Sequence, residues 1–271
     1  MAENSKIEWT DHTVNLWWGC AKVHTGCKNC YAESLSYRFG DKIWGEKVQR
    51  KLIKSSTKDL NKYQKQAEKK NKIVKVFMGS MMDIFEDPKS IIGMREQYVN
   101  TGTLRDNLFT EISEGKYNNL VFLFLTKRPE NIVHLIPYEW INSTPKNVWF
   151  GTSVSNQETV KYAESLRLVS SSNLFLSIEP QIGLINEINL TGIDWVIQGG
   201  ESGNKKRPFD INWAYRMKQI CKEQNTPFFF KQIDKVQEIP NDLTIREFPN
   251  FGSVGKNILE LETETSNEAQ K

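Results

Sequence analysis

Three cysteines crowd one short window near the N-terminus, Cys20, Cys27 and Cys30, spaced C-x6-C-x2-C. No other feature constrains the chain as tightly. Three thiolates on one loop make a claw for a soft metal centre, whereas a structural zinc site closes with four protein ligands. A three-thiolate claw leaves one metal position open. On an iron–sulfur cluster that position can take a substrate or cofactor, which makes the loop chemical rather than structural. Gly19 and Gly26 bracket the loop and permit tight turns. A second reading counts His24, which completes a C-x3-H-x2-C-x2-C set and a possible Cys3His zinc site, although such short gaps make tetrahedral binding awkward. Otherwise His24 reads as a solvated loop residue or a hydrogen-bond donor to a ligand. The remaining cysteine, Cys221, shares a helical apolar face with Trp213, Met217 and Ile220 and reads as a buried core thiol rather than a distant fourth ligand.

Four cysteines in 271 residues are no disulfide framework, so the expectation is a reducing cytoplasm, where thiolates are free to act as ligands. No apolar run reaches the roughly 18 residues of a membrane helix, and no secretion signal is apparent.

Downstream of the cysteines, apolar runs alternate with helix-like stretches. Residues 13–18 read as a first strand feeding the cysteine loop, and 30–39 as a helix stopped at Gly40. Further strands are expected over 73–78, 120–125, 148–151, 174–178, 195–198 and 227–230, with helices near 90–112, 158–169 and 211–224. The run Leu120 to Leu125 is wholly apolar, as in a strand buried on both faces. Strands alternating with helices predict an α/β fold with a parallel sheet, and about seven such units predict a complete or partial (β/α) barrel. Each strand ends in polar or glycine-bearing residues. In a barrel those ends converge on one mouth, so Cys20, Asp83, Lys127, Ser153, Glu179, Glu201 and Lys231 are expected to face one cavity. The domain reading is one barrel over 1–240 carrying a basic helical insertion at 41–72, then an acidic, partly disordered extension over 241–271.

Six motifs occur in order: Trp17-Trp-Gly-Cys20 leading to Cys30-Tyr-Ala-Glu33, Leu125-Thr-Lys-Arg-Pro-Glu130, Val148-Trp-Phe-Gly-Thr-Ser-Val154, Leu176-Ser-Ile-Glu-Pro180, Val196-Ile-Gln-Gly-Gly-Glu-Ser-Gly203 and Pro227-Phe-Phe-Phe-Lys-Gln232. Together they resemble the phage-associated three-cysteine-motif family, which is related to radical S-adenosylmethionine (SAM) enzymes. The resemblance implies a partial TIM-like barrel of the radical-SAM type, a [4Fe–4S] cluster on Cys20, Cys27 and Cys30, and SAM on the fourth iron. It implies reductive cleavage of SAM to a 5′-deoxyadenosyl radical, fed by a one-electron reductant of flavodoxin or ferredoxin type. Tyr31, Ser80, Asp83, Lys127, Ser153, Asn156 and Glu201 are then the candidates for holding SAM, and Glu179 and Lys231 for acting on substrate. Plainer roles stand beside these: Asp83, Ser153 and Asn156 as helix caps, and the two glutamates as partners of Lys127, Arg128 or Lys231. Lys127 and Arg128 could also grip a carboxylate or phosphate. The chain departs from most radical-SAM enzymes, which space the claw C-x3-C-x2-C and place an aromatic before its last cysteine; here Tyr31 follows Cys30. Their Gly-Gly-Glu follows the second strand. Here Gly199-Gly200-Glu201 follows roughly the sixth, and Gly79-Ser80-Met81 holds the second-strand place.

The net charge is only +3, but lysines crowd residues 42–75, with Trp44 and Tyr63 among them. Lysines on phosphates with aromatics on bases are what nucleic-acid binding needs, while a charge run is also a common solvated helix face. The functional expectation is a radical SAM enzyme acting on a nucleic-acid base or nucleotide. Its alternative is a non-catalytic nucleic-acid-binding protein stabilised by zinc or a cluster. The location expected is the cytoplasm, a host's if the chain is phage-encoded.

Overall fold

The runs of β-branched and aromatic residues form the strands, and the amphipathic stretches between them form helices. The computed structural model describes residues 3–95, 98–169 and 173–251. In chain order it contains β1 (His12–Val14), β2 (Trp17–Trp18), α1 (Tyr31–Arg38), β3 (Lys51–Leu52), α2 (Ser56–Lys69), β4 (Val74–Met78), α3 (Thr101–Ser113) and β5 (Leu120–Thr126). There follow α4 (Ile132–Leu135), α5 (Tyr138–Asn142), β6 (Val148–Ser153), α6 (Lys161–Arg167), β7 (Leu174–Ile178), β8 (Trp195–Gly199), α7 (Ile211–Glu223) and β9 (Phe228–Gln232). Seven strands form one parallel sheet in the order β1-β4-β5-β6-β7-β8-β9, a curled α/β half-barrel.

Side chains two apart on a strand share a face. The concave face is aromatic low down, near the N-terminal strand ends: Phe77, Leu123, Trp149, Phe175, Trp195 and Phe229 pack there around Trp9 of the entry segment. One step up, β6 carries Gly151. A Cβ there would lie 2.4 Å from the Phe175 ring, so the missing side chain is what lets Phe175 fill the interior. The convex face packs on the helices in a larger apolar core that includes Cys221, which is 1% exposed and a core thiol as its helical spacing predicted.

The chain turns back antiparallel after β9. Phe230 N donates to Ile245 O at 3.1 Å and Glu247 N to Phe228 O at 3.1 Å, which covers the β9 edge. Trp195 Nε1 donates to Glu247 O at 2.9 Å. Phe248 and Phe251 then pack on Trp195, with Phe251 also on Trp149, and close the lower end of the half-barrel. Residues 241–251 thus belong to the fold; the acidic stretch 260–268 lies outside the described residues.

Three expectations need correction. The strand expected over 13–18 is broken, because Trp17 and Trp18 leave the main sheet and pair antiparallel with Leu52 and Lys51. The helix expected from about 90 starts only at Thr101, because Asn100 is an N-cap: Asn100 Oδ1 accepts from Thr103 N at 3.0 Å, and Thr103 Oγ1 accepts from Asn100 N at 3.0 Å. Tyr63 is no exposed stacking platform, since its ring is buried and stacks on His12 at 3.8 Å.

Gly151→Ala should cost about 1–3 kcal/mol by forcing the Phe175 ring aside. Thermal denaturation of that variant checks this, and adding Phe175→Leu should recover part of the loss.

Candidate functional site

Above the aromatic floor the concave face opens. A cavity with an empty volume of about 1110 Å³, continuous with solvent at its mouth, is floored by Trp9, Phe77 and Leu125. Ser177, Lys127, Glu179, Lys231 and Glu201 stand higher on its walls, and Cys20, Cys27, Cys30 and Tyr31 close one side. The half-barrel therefore brings together all three thiols with Tyr31, Ser80, Asp83, Lys127, Glu179, Glu201 and Lys231, residues spread along most of the chain.

The cysteine loop is held from below by buried charges. Gly19 enters it at φ +118, where a Cβ would lie 2.5 Å from Ile43 O and 2.7 Å from Arg50 Cδ. Gly19 N donates to Met81 O at 3.0 Å, which ties the loop to the end of β4. Arg128 Nη2 donates to Ala21 O at 2.9 Å and Arg128 Nη1 to Cys20 Sγ at 3.8 Å. The same guanidinium bonds Asp83 Oδ2 at 2.8 Å and lies 3.7 Å from Glu86 Oε1. Glu86 is in turn gripped by Arg50, with Nε at 2.9 Å and Nη2 at 2.5 Å. Arg50 Nη1 also binds the carbonyls of Ile43, Gly45 and Val48. Arg50 is fully buried, so it belongs to this network and not to a basic surface.

A second clamp holds the far side of the loop. Asn29 Nδ2 donates to Glu201 Oε2 at 3.1 Å, and Arg207 forms an ion pair with the same carboxylate and donates to Thr25 O at 3.1 Å. Arg207 and Asn29 hold the Glu201 carboxyl below its usual pKa range against the opposing effect of burial.

Burial and the nearby Asp83 and Glu86 carboxylates push the Cys20 thiol up to about 12, with Arg128 acting against them. Cys30 is also pushed up by burial, partly offset by the backbone N–H groups of Glu33 and Ala32 at the start of α1. Metal binding at these thiols must therefore release protons.

His24 is not a solvated loop residue. Its Nδ1 accepts from Gly26 N at 2.9 Å, its ring lies 5.6 Å from Tyr162, and its Nε2 is buried without a partner. Burial and the positive charges of Lys127, Arg128 and Arg207 push its pKa down to about 4. Among the described residues, no three of His, Cys, Asp and Glu gather closely enough to hold a single metal ion.

The polar side chains divide into those committed to the fold and those that face the cavity. Asp83 accepts from Thr126 Oγ1 at 2.7 Å, Phe85 N at 3.1 Å and Lys127 N at 3.2 Å besides Arg128, so it is a structural anchor. Asn156 lies off the cavity and caps a helical turn through Thr159, the plainer of its two expected roles. Ser153 is buried beneath Lys127 and accepts from its Nζ at 2.9 Å. Tyr31 donates to Ser80 O at 2.8 Å, which leaves its half-exposed ring along the cavity wall. Lys231 Nζ and Glu179 Oε1 form an ion pair at 2.5 Å in the same cavity as the thiols. Sequence reasoning missed Asn29, Glu86 and Arg207. Their partners lie far off in the chain, and no local pattern marks them.

Two outcomes follow. Glu86→Gln leaves Arg50 buried without its counter-charge and should cost about 3–5 kcal/mol in a urea titration. The His24 pKa of about 4 in the folded chain is below its ordinary 6.5, so the unfolded chain takes the proton first as the pH falls. Stability supplied by neutral His24 is complete above 6.5 and is lost towards 4, and His24→Gln should flatten that part of the melting-temperature profile.

Neither a curated protein nor a solved structure matches the chain. Residues 4–252, nearly the whole described fold with both clamps and all three loop cysteines, match a family described as "Protein of unknown function (DUF5131)". The chain belongs to the DUF5131 family.

Proposed function

We propose that this chain is a radical SAM enzyme that binds a [4Fe–4S] cluster through Cys20, Cys27 and Cys30 and acts on a base or nucleotide of nucleic acid. One observation carries the reading. Three thiols from one loop line a cavity that also holds a cation, an ion pair and small polar groups above a floor of aromatic rings. The six ordered motifs support it through their resemblance to the radical-SAM-like three-cysteine family. When bound, the cluster and SAM supply one-electron cleavage of SAM and the 5′-deoxyadenosyl radical that takes hydrogen from substrate.

The chain's own residues do the rest. The Arg128–Asp83 and Asn29–Glu201–Arg207 clamps hold both ends of the thiol loop before any metal arrives, so less ordering is needed on binding. Lys127 presents a cation to the cavity, fixed by Ser153, and would hold the carboxylate of SAM. Tyr31, tethered by its hydroxyl, offers a fixed ring face for a purine. Glu179 and Lys231 sit together where substrate enters and can move a proton to or from it. The floor of Trp9, Phe77 and Leu125 keeps water from the reacting atoms. A one-electron reductant of flavodoxin or ferredoxin type is the partner this chemistry requires. Among the described residues no helix is long and apolar enough to cross a membrane.

Anaerobic reconstitution with iron and sulfide, followed by EPR of the reduced protein with and without SAM, tests the reading. The expected result is a [4Fe–4S]⁺ signal that changes when SAM is added and is absent in Cys27→Ala. Lys127→Met should keep the signal but need about tenfold or more SAM to change it. Stoichiometric zinc with no cluster would sink the proposal.

A further inference from the structure

Helix α2 (Ser56–Lys69) buries Leu60, Tyr63, Gln64 and Ala67 against the half-barrel. The helical period places Lys58, Lys62, Lys65 and Lys69 together on the opposite face, at i, i+4, i+7 and i+11. These four lysines line one shallow surface groove with Asn61 and Gln66. At 1.5 Å per residue they form a straight cationic line roughly 16 Å long. Lys62 pairs with Glu3 at 2.6 Å. Lys58, Lys65 and Lys69 make no ion pair among the described residues. Lys54, Lys70 and Lys72, all exposed, prolong the positive charge beyond both ends of the helix.

The line has a direction. Ser56, at the start of α2, donates to Asn15 O at 2.7 Å, and Asn15 Nδ2 donates to Ser80 Oγ at 2.9 Å on the cavity wall. The far end lies near the start of β5, where Gln64 bonds Asn119 and Asn119 bonds Lys72 O. The lysines therefore run down the outer wall from the level of the mouth to the closed end.

We propose that this line binds the sugar–phosphate backbone of a nucleic-acid duplex. A row of evenly spaced ammonium groups meets a row of phosphates and reads no sequence. Single-strand binding needs aromatic faces for the bases. The one aromatic ring on this helix, Tyr63, is buried on the other side, so the surface fits paired bases with only their backbone presented. The proposal rests on the nucleic-acid half of the function proposed above and is independent of the cluster.

The test is binding of the full chain, as isolated, to a fluorescent DNA duplex and to one of its strands alone, across about 50 to 200 mM salt. The quadruple variant K58Q/K62Q/K65Q/K69Q is compared with K146Q/K161Q/K222Q/K235Q, which removes equal charge elsewhere. Circular dichroism checks that each variant folds. The expected result is preference for the duplex and a log–log salt slope shallower by about 3 to 4 in the α2 variant alone. Equal losses in the two variants would overturn the proposal, as would preference for the single strand or absence of duplex binding at low salt. Cluster assembly and its response to SAM are read by EPR on the same α2 variant. Failure of that signal strikes the radical reading and leaves the binding result standing.

Discussion

Everything at the mouth depends on charges that are out of reach of water. Arg50, Glu86, Arg128 and Asp83 are at most 7% exposed, and they join into one chain of ion pairs beneath the thiol loop. Unpaired, each would be costly to bury; linked, they oblige the loop, the 43–50 segment and the ends of β4 (Val74–Met78) and β5 (Leu120–Thr126) to adopt one mutual arrangement. Arg128 bonds both a carbonyl and a sulfur of the loop, so the position of Cys20 is set by a residue more than a hundred positions away.

The half-barrel separates two tasks along one face. Low on the strands, aromatic residues fill space and confer stability. Higher up, glycine and serine leave room, and at the strand ends charged groups meet it. The period-two alternation of a strand is enough to produce this gradient, because every second residue of each parallel strand faces the same interior. Glu179 and Lys231 come from the ends of different strands and meet at 2.5 Å only because the sheet curls.

The strand rhythm was legible in the sequence because it is local. The expected runs at 174–178 and 195–198 match β7 (Leu174–Ile178) and β8 (Trp195–Gly199) closely, and the polar strand ends do converge on one cavity. What could not be read depends on distant partners. Arg50 looked like one more surface cation in a basic run, yet Glu86 makes it a core residue. Glu201 was expected to hold SAM or to pair with Lys127, Arg128 or Lys231, and its partners are instead Asn29 and Arg207. Trp17 and Trp18 continue a good strand pattern, but Lys51 and Leu52 offer them another partner. The basic insertion expected to be helical over 41–72 does contain a helix, α2 (Ser56–Lys69).

The packing of Phe248 and Phe251 under Trp195 and Trp149 has a consequence for traffic. These rings lie beneath the floor of Trp9 and Phe77, so nothing reaches the cavity through the lower end. Two phenylalanines that follow the last strand thus back the cavity's floor and help to leave its traffic to the open end.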